Sequence, residues 1–116
     1  MLFALHCIDK PHSAALRVKM RVPHLAYTQD RQHHFRFGGP LLNEAGKPEG
    51  SLMILEFPDL AALHVHMQGD PFFRLGLFET VAIHATRQVM PEAAPGALVL
   101  ELATATALAA PAQEAT

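Results

Sequence analysis

The chain has 116 residues, half of them hydrophobic, with a formal net charge of −2 and a pI of about 6.4. This length supports one domain with a modest core, near the size at which burial against a partner becomes an advantage. The charge leaves no large basic face for phosphates, which argues against nucleic acid as a partner. A single cysteine, Cys7, and an N-terminus without a basic leader region lead us to expect a cytoplasmic protein without a membrane span.

Hydrophobic periodicity predicts a strand and then a helix at the start of the chain. Residues 2–8 form an apolar run that ends at Asp9, which is typical of a buried strand followed by a turn. Residues 13–29 carry apolar side chains at helical spacing, and Ser13 is the expected N-cap. Pro23 lies inside this helix and has no backbone N–H, so we expect a kink or a division into two helices.

Turn residues and further periodicity define the rest of the first 90 residues. The predicted elements are a strand over 35–42, a polar turn over 43–50, a strand over 51–57, a helix from Asp59 to Gly69, a short turn or helix opened by Asp70-Pro71, and a strand over 78–89.

The predicted order βαββαβ indicates an α+β fold of the ferredoxin-like kind. In this fold a four-stranded antiparallel sheet carries both helices on one face. The first, third and fourth strands nevertheless carry apolar residues on both faces, whereas a sheet that faces water alternates more cleanly. We therefore expect the second face to be buried against another copy of the chain, in a homodimer of the dimeric α+β barrel type.

The last part of the chain differs in composition from residues 1–90. Residues 91–116 are rich in alanine and proline, and we treat them as a C-terminal extension of the first domain. Leucine spacing in this extension fits either an added strand or a helix, and both alternatives stay open. We expect the extension to dock on the dimer and to fray after Pro111.

His24 and Asp70 are the candidate acid-base pair, because an imidazole titrates near neutral pH and a carboxylate can orient it. Each residue also has a structural alternative. His24 shares a helix stripe with Leu16 and Met20, as a packed histidine bonded to a backbone carbonyl would. Asp70 precedes Pro71, and its carboxylate can cap the next helical turn. Pairing requires the chain after Asp70 to fold back across the first helix, which the topology permits without requiring it.

The other charged and metal-binding residue types are weaker candidates. Arg21 or Arg17 can hold an oxyanion, although a solvated charged face is the alternative for both and is favoured for Arg17. His64 and His66 diverge on a helix, and the adjacent His33 and His34 also lack the spacing of ligands, so we expect no metal site.

Several short motifs, taken in their order along the chain, resemble those of the YciI-like (YCII-related) family of the dimeric α+β barrel superfamily. The resemblance covers about residues 1–90. The motifs are Arg17, the run Arg21-Val22-Pro23-His24-Leu25-Ala26-Tyr27, Gly39-Pro40-Leu41-Leu42, the turn to Gly50-Ser51, Asp70-Pro71-Phe72, and Gly76-Leu77-Phe78-Glu79. Family members usually carry proline directly after the arginine, whereas here Val22 stands between them.

The resemblance implies a ferredoxin-like subunit, a dimer and an active site built on His24 and Asp70. Ser51, Arg21 and Phe72 are the expected substrate-binding residues. The family has links to the breakdown of chlorinated, hydroxylated aromatics, in which HCl is eliminated. We therefore expect a small cofactor-independent lyase of the dehydrochlorinase kind, acting on a small-molecule substrate. The alternatives are a non-catalytic dimeric ligand-binding or accessory module, and a cofactor-free monooxygenase or isomerase.

Overall fold

A computed structural model describes residues 1–111 and separates the chain into two compact units, the first from Met1 to Thr86 and the second starting at Arg87. The first unit has the predicted order of elements, and the short turn or helix expected at Asp70-Pro71 is a helix. Its elements are β1 (Leu2–Asp9), α1 (Ala14–Gln29), a short 3₁₀ turn (Gln32–His34), β2 (Phe35–Leu42), β3 (Pro48–Glu56), α2 (Leu60–Gly69), α3 (Pro71–Arg74) and β4 (Phe78–Thr86).

The four strands form one antiparallel sheet in the order β2-β3-β1-β4. The central strand β1 pairs Leu5 with Met53 of β3 on one side and with Ile83 of β4 on the other. The two inner strands, β3 and β1, are not consecutive in sequence, because helical crossovers connect β1 to β2 and β3 to β4, whereas β2 and β3 form a hairpin. This is the ferredoxin-like α+β arrangement that the sequence predicts.

The hydrophobic core lies between the helices and one face of the sheet. Alternate residues of β1 are buried there, and Leu5 and Cys7 have no exposed surface. Leu55 of β3 and Leu63 of α2 are equally buried. The period of two along each strand therefore matches the burial on this face.

We call the opposite side of the sheet the open face, defined by Leu2, Ile8, Phe37, Leu52 and Ile54. These side chains are partly or largely accessible, and Phe37 is 52% exposed. None of these five residues belongs to the buried core cluster on the other side of the sheet. The open face also carries the exposed side chains of His6 and His84, which share its register, so the five apolar residues form part of a mixed surface of the Met1–Thr86 unit.

Helix α1 runs without interruption through Pro23, so the predicted division into two helices is wrong. The helix is anchored on both sides of the proline. Met20 is buried before it, and Tyr27 after it donates its hydroxyl hydrogen to the carbonyl of His66. Ser13 occupies the N-cap position, but its hydroxyl donates to the carbonyl of Lys10 and does not cap the helix, which corrects the expected role.

Two strand boundaries differ from the prediction by three residues, and two others differ by one residue. β3 begins at Pro48, three residues early, because the amide oxygen of Asn43 accepts hydrogen bonds from the backbone N–H groups of Ala45 and Lys47 and tightens the turn. β4 ends at Thr86, which pairs with Leu2 at the start of β1, so the later residues have no strand to bond.

The second unit contains the helix α4 (Ala97–Ala109), which decides between the two alternatives that the leucine spacing left open. Arg87 forms an ion pair with Glu101 of this helix. Residues 112–116 lie outside the described part of the chain. The prediction that the chain frays after Pro111 therefore concerns residues that the structure does not describe. Within residues 1–111, no helix combines the length and apolar character that a membrane span requires.

Candidate active site

A cleft of about 640 Å³ lies along one side of α1. Helix α1 contributes residues at helical spacing, and the strands β2 and β3 and the short helix α3 supply the rest of its wall. The lining includes Arg17, Arg21, His24, Pro40, Ser51 and Phe72. Four of the residues predicted for the site line this cleft, namely His24, Arg21, Ser51 and Phe72. The fifth, Asp70, lies within hydrogen-bonding distance of His24.

His24 and Asp70 lie within hydrogen-bonding distance, with 2.7 Å between His24 Nδ1 and Asp70 Oδ1. The histidine side chain is 14% exposed and the aspartate side chain is fully buried. A carboxylate accepts, so Nδ1 of the neutral ring is the protonated nitrogen and Nε2 carries a free electron pair. Nε2 makes no hydrogen bond with any of residues 1–111, and it belongs to a side chain that lines the cleft.

Phe72 holds the plane of the His24 ring. The two rings stack in parallel, with 3.8 Å between their centroids and 3° between their planes. Phe72 is almost completely buried, so its ring cannot tilt easily to release the histidine. The imidazole is thus fixed by a hydrogen bond at one edge and by stacking on one face.

Asp70 reaches the histidine because it occupies the corner between α2 and α3. Its Oδ1 also accepts a hydrogen bond of 3.0 Å from the backbone N–H of Phe72, so the same oxygen caps α3 and bonds His24. Oδ2 is buried and has no hydrogen-bond partner within the described residues. Gly69 allows Tyr27 to pack closely against the end of α2 beside this corner. A Cβ at position 69 would lie 2.5 Å from the hydroxyl oxygen of Tyr27.

Arg17 forms a second polar group at the base of the cleft. Its Nη1 donates to both oxygens of Asp9, at 2.9 and 3.0 Å, and its Nη2 donates to Ser51 Oγ at 2.9 Å. The guanidinium carbon lies 5.0 Å from the ring centroid of Phe72. Arg17 is buried, so the solvated face favoured for it from the sequence is wrong.

Comparison with known proteins agrees with the fold. The family model described as the YCII-related domain matches residues 1–87. The chain belongs to the YCII-related family. It is 30% identical over 97 residues to proteins named YciI from Escherichia coli O6:H1 and Shigella flexneri, an alignment that covers 77% of this chain and 99% of each relative.

One solved structure similar to this YCII-related chain carries an activity in its name. It is the 5-chloro-2-hydroxyhydroquinone dehydrochlorinase from Burkholderia phenoliruptrix AC1100, in complex with 2,5-dihydroxybenzoquinone. The two chains superpose with a TM-score of 0.71 and share 28% sequence identity. The match covers 76% of this chain and 95% of the other.

Among residues 1–111 of this YCII-related chain, Arg21 is a cation that lines the cleft without a partner in the protein. It lies one helical turn before His24 and one turn after Arg17, on the side of α1 that lines the cleft. In contrast to Arg17, it is exposed and makes no hydrogen bond or ion pair with any residue up to 111. An arginine without an internal partner is available to an anionic ligand.

Cys7 is a buried free cysteine whose thiol is influenced by the two carboxylates of the site. Burial raises the pKa of the Cys7 thiol to about 12, and the negative charges of Asp70 and Asp9 add to this effect. The thiol is therefore uncharged at neutral pH and is not a nucleophile. Within residues 1–111, no three histidine, cysteine or acidic side chains are arranged to hold a metal ion.

The Arg17–Asp9 pair is the part of the site that sequence reasoning missed. Asp9 ends β1, and Arg17 lies one turn into the following helix. The turn between these elements is short enough to bring both side chains over the end of the sheet. The sequence did contain a signal for this ion pair, namely an acidic residue at a strand end and an arginine one turn into the next helix. Many solvent-exposed ion pairs have the same spacing, so the signal does not indicate a buried pair.

Proposed function

We propose that this chain is a small cofactor-independent lyase that eliminates HCl from a chlorinated, hydroxylated aromatic ring, with His24 as the acid-base residue and Asp70 as its partner. The observation that carries the proposal is the 2.7 Å bond from His24 Nδ1 to a fully buried Asp70, which leaves Nε2 free at a cleft. The named activity of the similar dehydrochlorinase supports the choice of reaction.

Asp70 stabilises the positive charge that His24 gains when it takes a proton. The carboxylate is buried, and one of its oxygens has no partner within the described residues, so little in the protein neutralises its charge. An imidazolium 2.7 Å away would supply that neutralisation. The bond to Asp70 leaves Nε2 as the nitrogen that takes the proton, which is the arrangement required of a general base.

The reaction needs only proton transfers and the departure of chloride. His24 first removes a proton from a ring hydroxyl and returns it to the carbon that bears chlorine, which becomes tetrahedral while the C–O bond becomes a carbonyl. Removal of a second hydroxyl proton then sends an electron pair through the ring and expels chloride. The products are a quinone and HCl. The ring is oxidised as the C–Cl bond is replaced by C–H, so the balance requires no external oxidant.

The substrate-binding roles of the remaining residues follow from what each can offer. Arg21 lines the cleft without a partner among the described residues and would hold an ionised ring oxygen. Phe72 acts through the His24 ring that it stacks on, since its own ring is almost completely buried. Ser51 contributes a hydroxyl at the base of the cleft.

We further propose that the open face is covered by a second copy of the chain. A set of apolar side chains on a sheet surface, in a unit of fewer than 90 residues, gains stability by burial against a partner. The two-fold pairing of sheets would bring Leu52 and Ile54 of each copy into one interface. Docking of the C-terminal extension on that dimer stays a prediction.

Chloride release tests the proposed reaction. The natural protein is incubated anaerobically with chlorinated hydroquinols and chlorohydroxyquinols, and free chloride is measured by ion chromatography. We expect turnover by the natural protein and a loss of roughly 10²- to 10⁴-fold in kcat for His24→Gln and Asp70→Asn. His64→Gln is the matched control, because His64 is an exposed histidine outside the cleft.

The alternatives give different results in the same experiment. A ligand-binding module would be stabilised by 2,5-dihydroxybenzoquinone without releasing chloride from any substrate, and the stabilisation would be equal in His24→Gln. A cofactor-free monooxygenase would consume oxygen and would be inactive under anaerobic conditions. Either outcome would refute the elimination reaction.

A further inference from the structure

Ser51 makes a hydrogen bond whose direction is fixed by chemistry. Its Oγ lies 2.9 Å from Nη2 of Arg17, and both side chains are buried. A guanidinium group carries only donors, so Ser51 Oγ must be the acceptor in this bond. The hydroxyl hydrogen of Ser51 is consequently not used in the contact with Arg17.

This hydroxyl hydrogen has no acceptor within residues 1–111. Ser51 appears in the hydrogen bonds of the site only as an acceptor, although it is 5% exposed. Its side chain lies on the helix-facing side of β3, opposite Cys7, and lines the cleft. A buried hydroxyl with a spare donor that faces a cleft is a group prepared for an oxygen acceptor from outside the protein.

Arg17 holds Ser51 in position and polarises it. Two bonds from Nη1 to Asp9 fix the guanidinium, so that Nη2 is presented to Ser51 in one orientation. A cation that donates to a hydroxyl oxygen withdraws electron density and makes the O–H a stronger donor. Because Asp9 balances the charge of Arg17, the pair directs a hydrogen bond without adding net charge to the cleft.

Ser13 provides an internal comparison. It is also a buried serine, but its hydroxyl donates to the carbonyl of Lys10, and it does not line the cleft. Its donor is therefore used within the protein. The spare donor of Ser51 is a property of its place against Arg17 and does not follow from burial alone.

We propose that Ser51 donates a hydrogen bond to an ionised or carbonyl oxygen of the bound ring, with Arg17 as the positioning residue, and so selects ligands that present such an oxygen at the base of the cleft. This inference rests on the proposed function for the ring-shaped ligand. It adds the class of ligand that the site prefers, namely phenolates and quinones over neutral phenols.

Two probes without chlorine test this selection independently of catalysis. The first is 4-nitrophenol, whose absorption spectrum distinguishes the ionised from the neutral form, and the second is 2,5-dihydroxybenzoquinone. Affinities are measured for the natural protein, Ser51→Ala, Ser51→Thr and the control Ser13→Ala. Spectra of bound 4-nitrophenol are recorded over a range of pH.

We expect the natural protein to bind the ionised form preferentially, and Ser51→Ala to bind both probes about ten- to a hundredfold more weakly. The midpoint for ionisation of the bound 4-nitrophenol should rise by about one to two pH units in Ser51→Ala. Ser51→Thr retains a hydroxyl and should restore most of the preference, while Ser13→Ala should match the natural protein. A merely structural serine would not move the ionisation of the probe.

Equal affinities and equal midpoints for the natural protein and Ser51→Ala would overturn the proposal, as would failure of both probes to bind the natural protein. The outcome is separable from that of the proposed reaction. Dependence of binding on Ser51 without chloride release would refute the elimination alone. Chloride release that depends on His24, with binding that ignores Ser51, would refute the role of Ser51 alone.

Discussion

Acidification should destabilise this protein through His66, a buried histidine of α2 outside the cleft. Its ring lies among aromatic side chains, with centroid distances of 5.2 Å to Phe57 and 5.4 Å to Tyr27. Its Nε2 is buried and has no hydrogen-bond partner within the described residues. Burial lowers the pKa of His66 from 6.5 to about 4, and the nearby carboxylate of Asp70 opposes this effect without cancelling it.

The sign follows from the two states of the chain. Above pH 6.5 the ring is neutral whether the chain is folded or unfolded, and it contributes nothing. Between pH 6.5 and about 4, His66 is protonated in the unfolded chain and neutral in the folded chain. The free energy of unfolding therefore falls as the pH falls. The full loss is on the order of 3 kcal/mol. Domains of this size have only about 5–15 kcal/mol in total.

Urea denaturation, followed by circular dichroism at one protein concentration, measures this loss. We compare the natural protein with His66→Leu, which cannot take a proton, and with His64→Leu, the same change at an exposed position of the same helix. Between about pH 7 and pH 5 the natural protein should lose about 2 kcal/mol more than His66→Leu. His64→Leu should follow the natural protein. Parallel pH profiles for the natural protein and His66→Leu would refute the reasoning.

Two further predictions concern the thiol and the open face. Because burial and the charges of Asp70 and Asp9 raise the pKa of Cys7 to about 12, Ellman's reagent at about pH 8 should leave the folded thiol unreacted and modify it only after unfolding. Rapid reaction of the folded protein would contradict this. Ile54→Asp should convert a dimer to a monomer in sedimentation velocity, because it buries an unpaired charge in the proposed interface. Val65→Asp, at an exposed position of α2, should leave the dimer intact, and a monomeric natural protein would refute the interface.

The fold could be predicted because local patterns and topology agree. The strand over 35–42 has the predicted bounds, and Asp59 caps α2 through the N–H of Ala62. The first strand was expected to be apolar on both faces, and within one subunit only alternate residues of β1 are buried. Once four strands and two helical crossovers are placed in order, handedness and short connections leave few arrangements of the sheet.

Long-range contacts account for what the sequence did not reveal. Pro23 has a strong local tendency to break a helix, but packing of Met20 and the bond from Tyr27 to the His66 carbonyl hold both flanking turns in one helix. Arg17 looked like a surface residue because nothing near it in sequence indicates burial. Its partners are the end of β1 and a serine 34 residues away, and only the tertiary structure brings them together.

Asp70 shows why the helix cap and the bond to His24 are not alternatives. The sequence posed them as competing roles, yet one oxygen, Oδ1, accepts from both the Phe72 N–H and His24. The cap bond orients the carboxylate before any ligand binds, and the helix that it caps carries the ring on which His24 stacks. The Asp70-Pro71 sequence therefore positions both groups that hold the imidazole, namely the Asp70 carboxylate and the Phe72 ring. An Asp70→Asn variant that keeps the cap but lowers activity would separate the charge of this residue from its position.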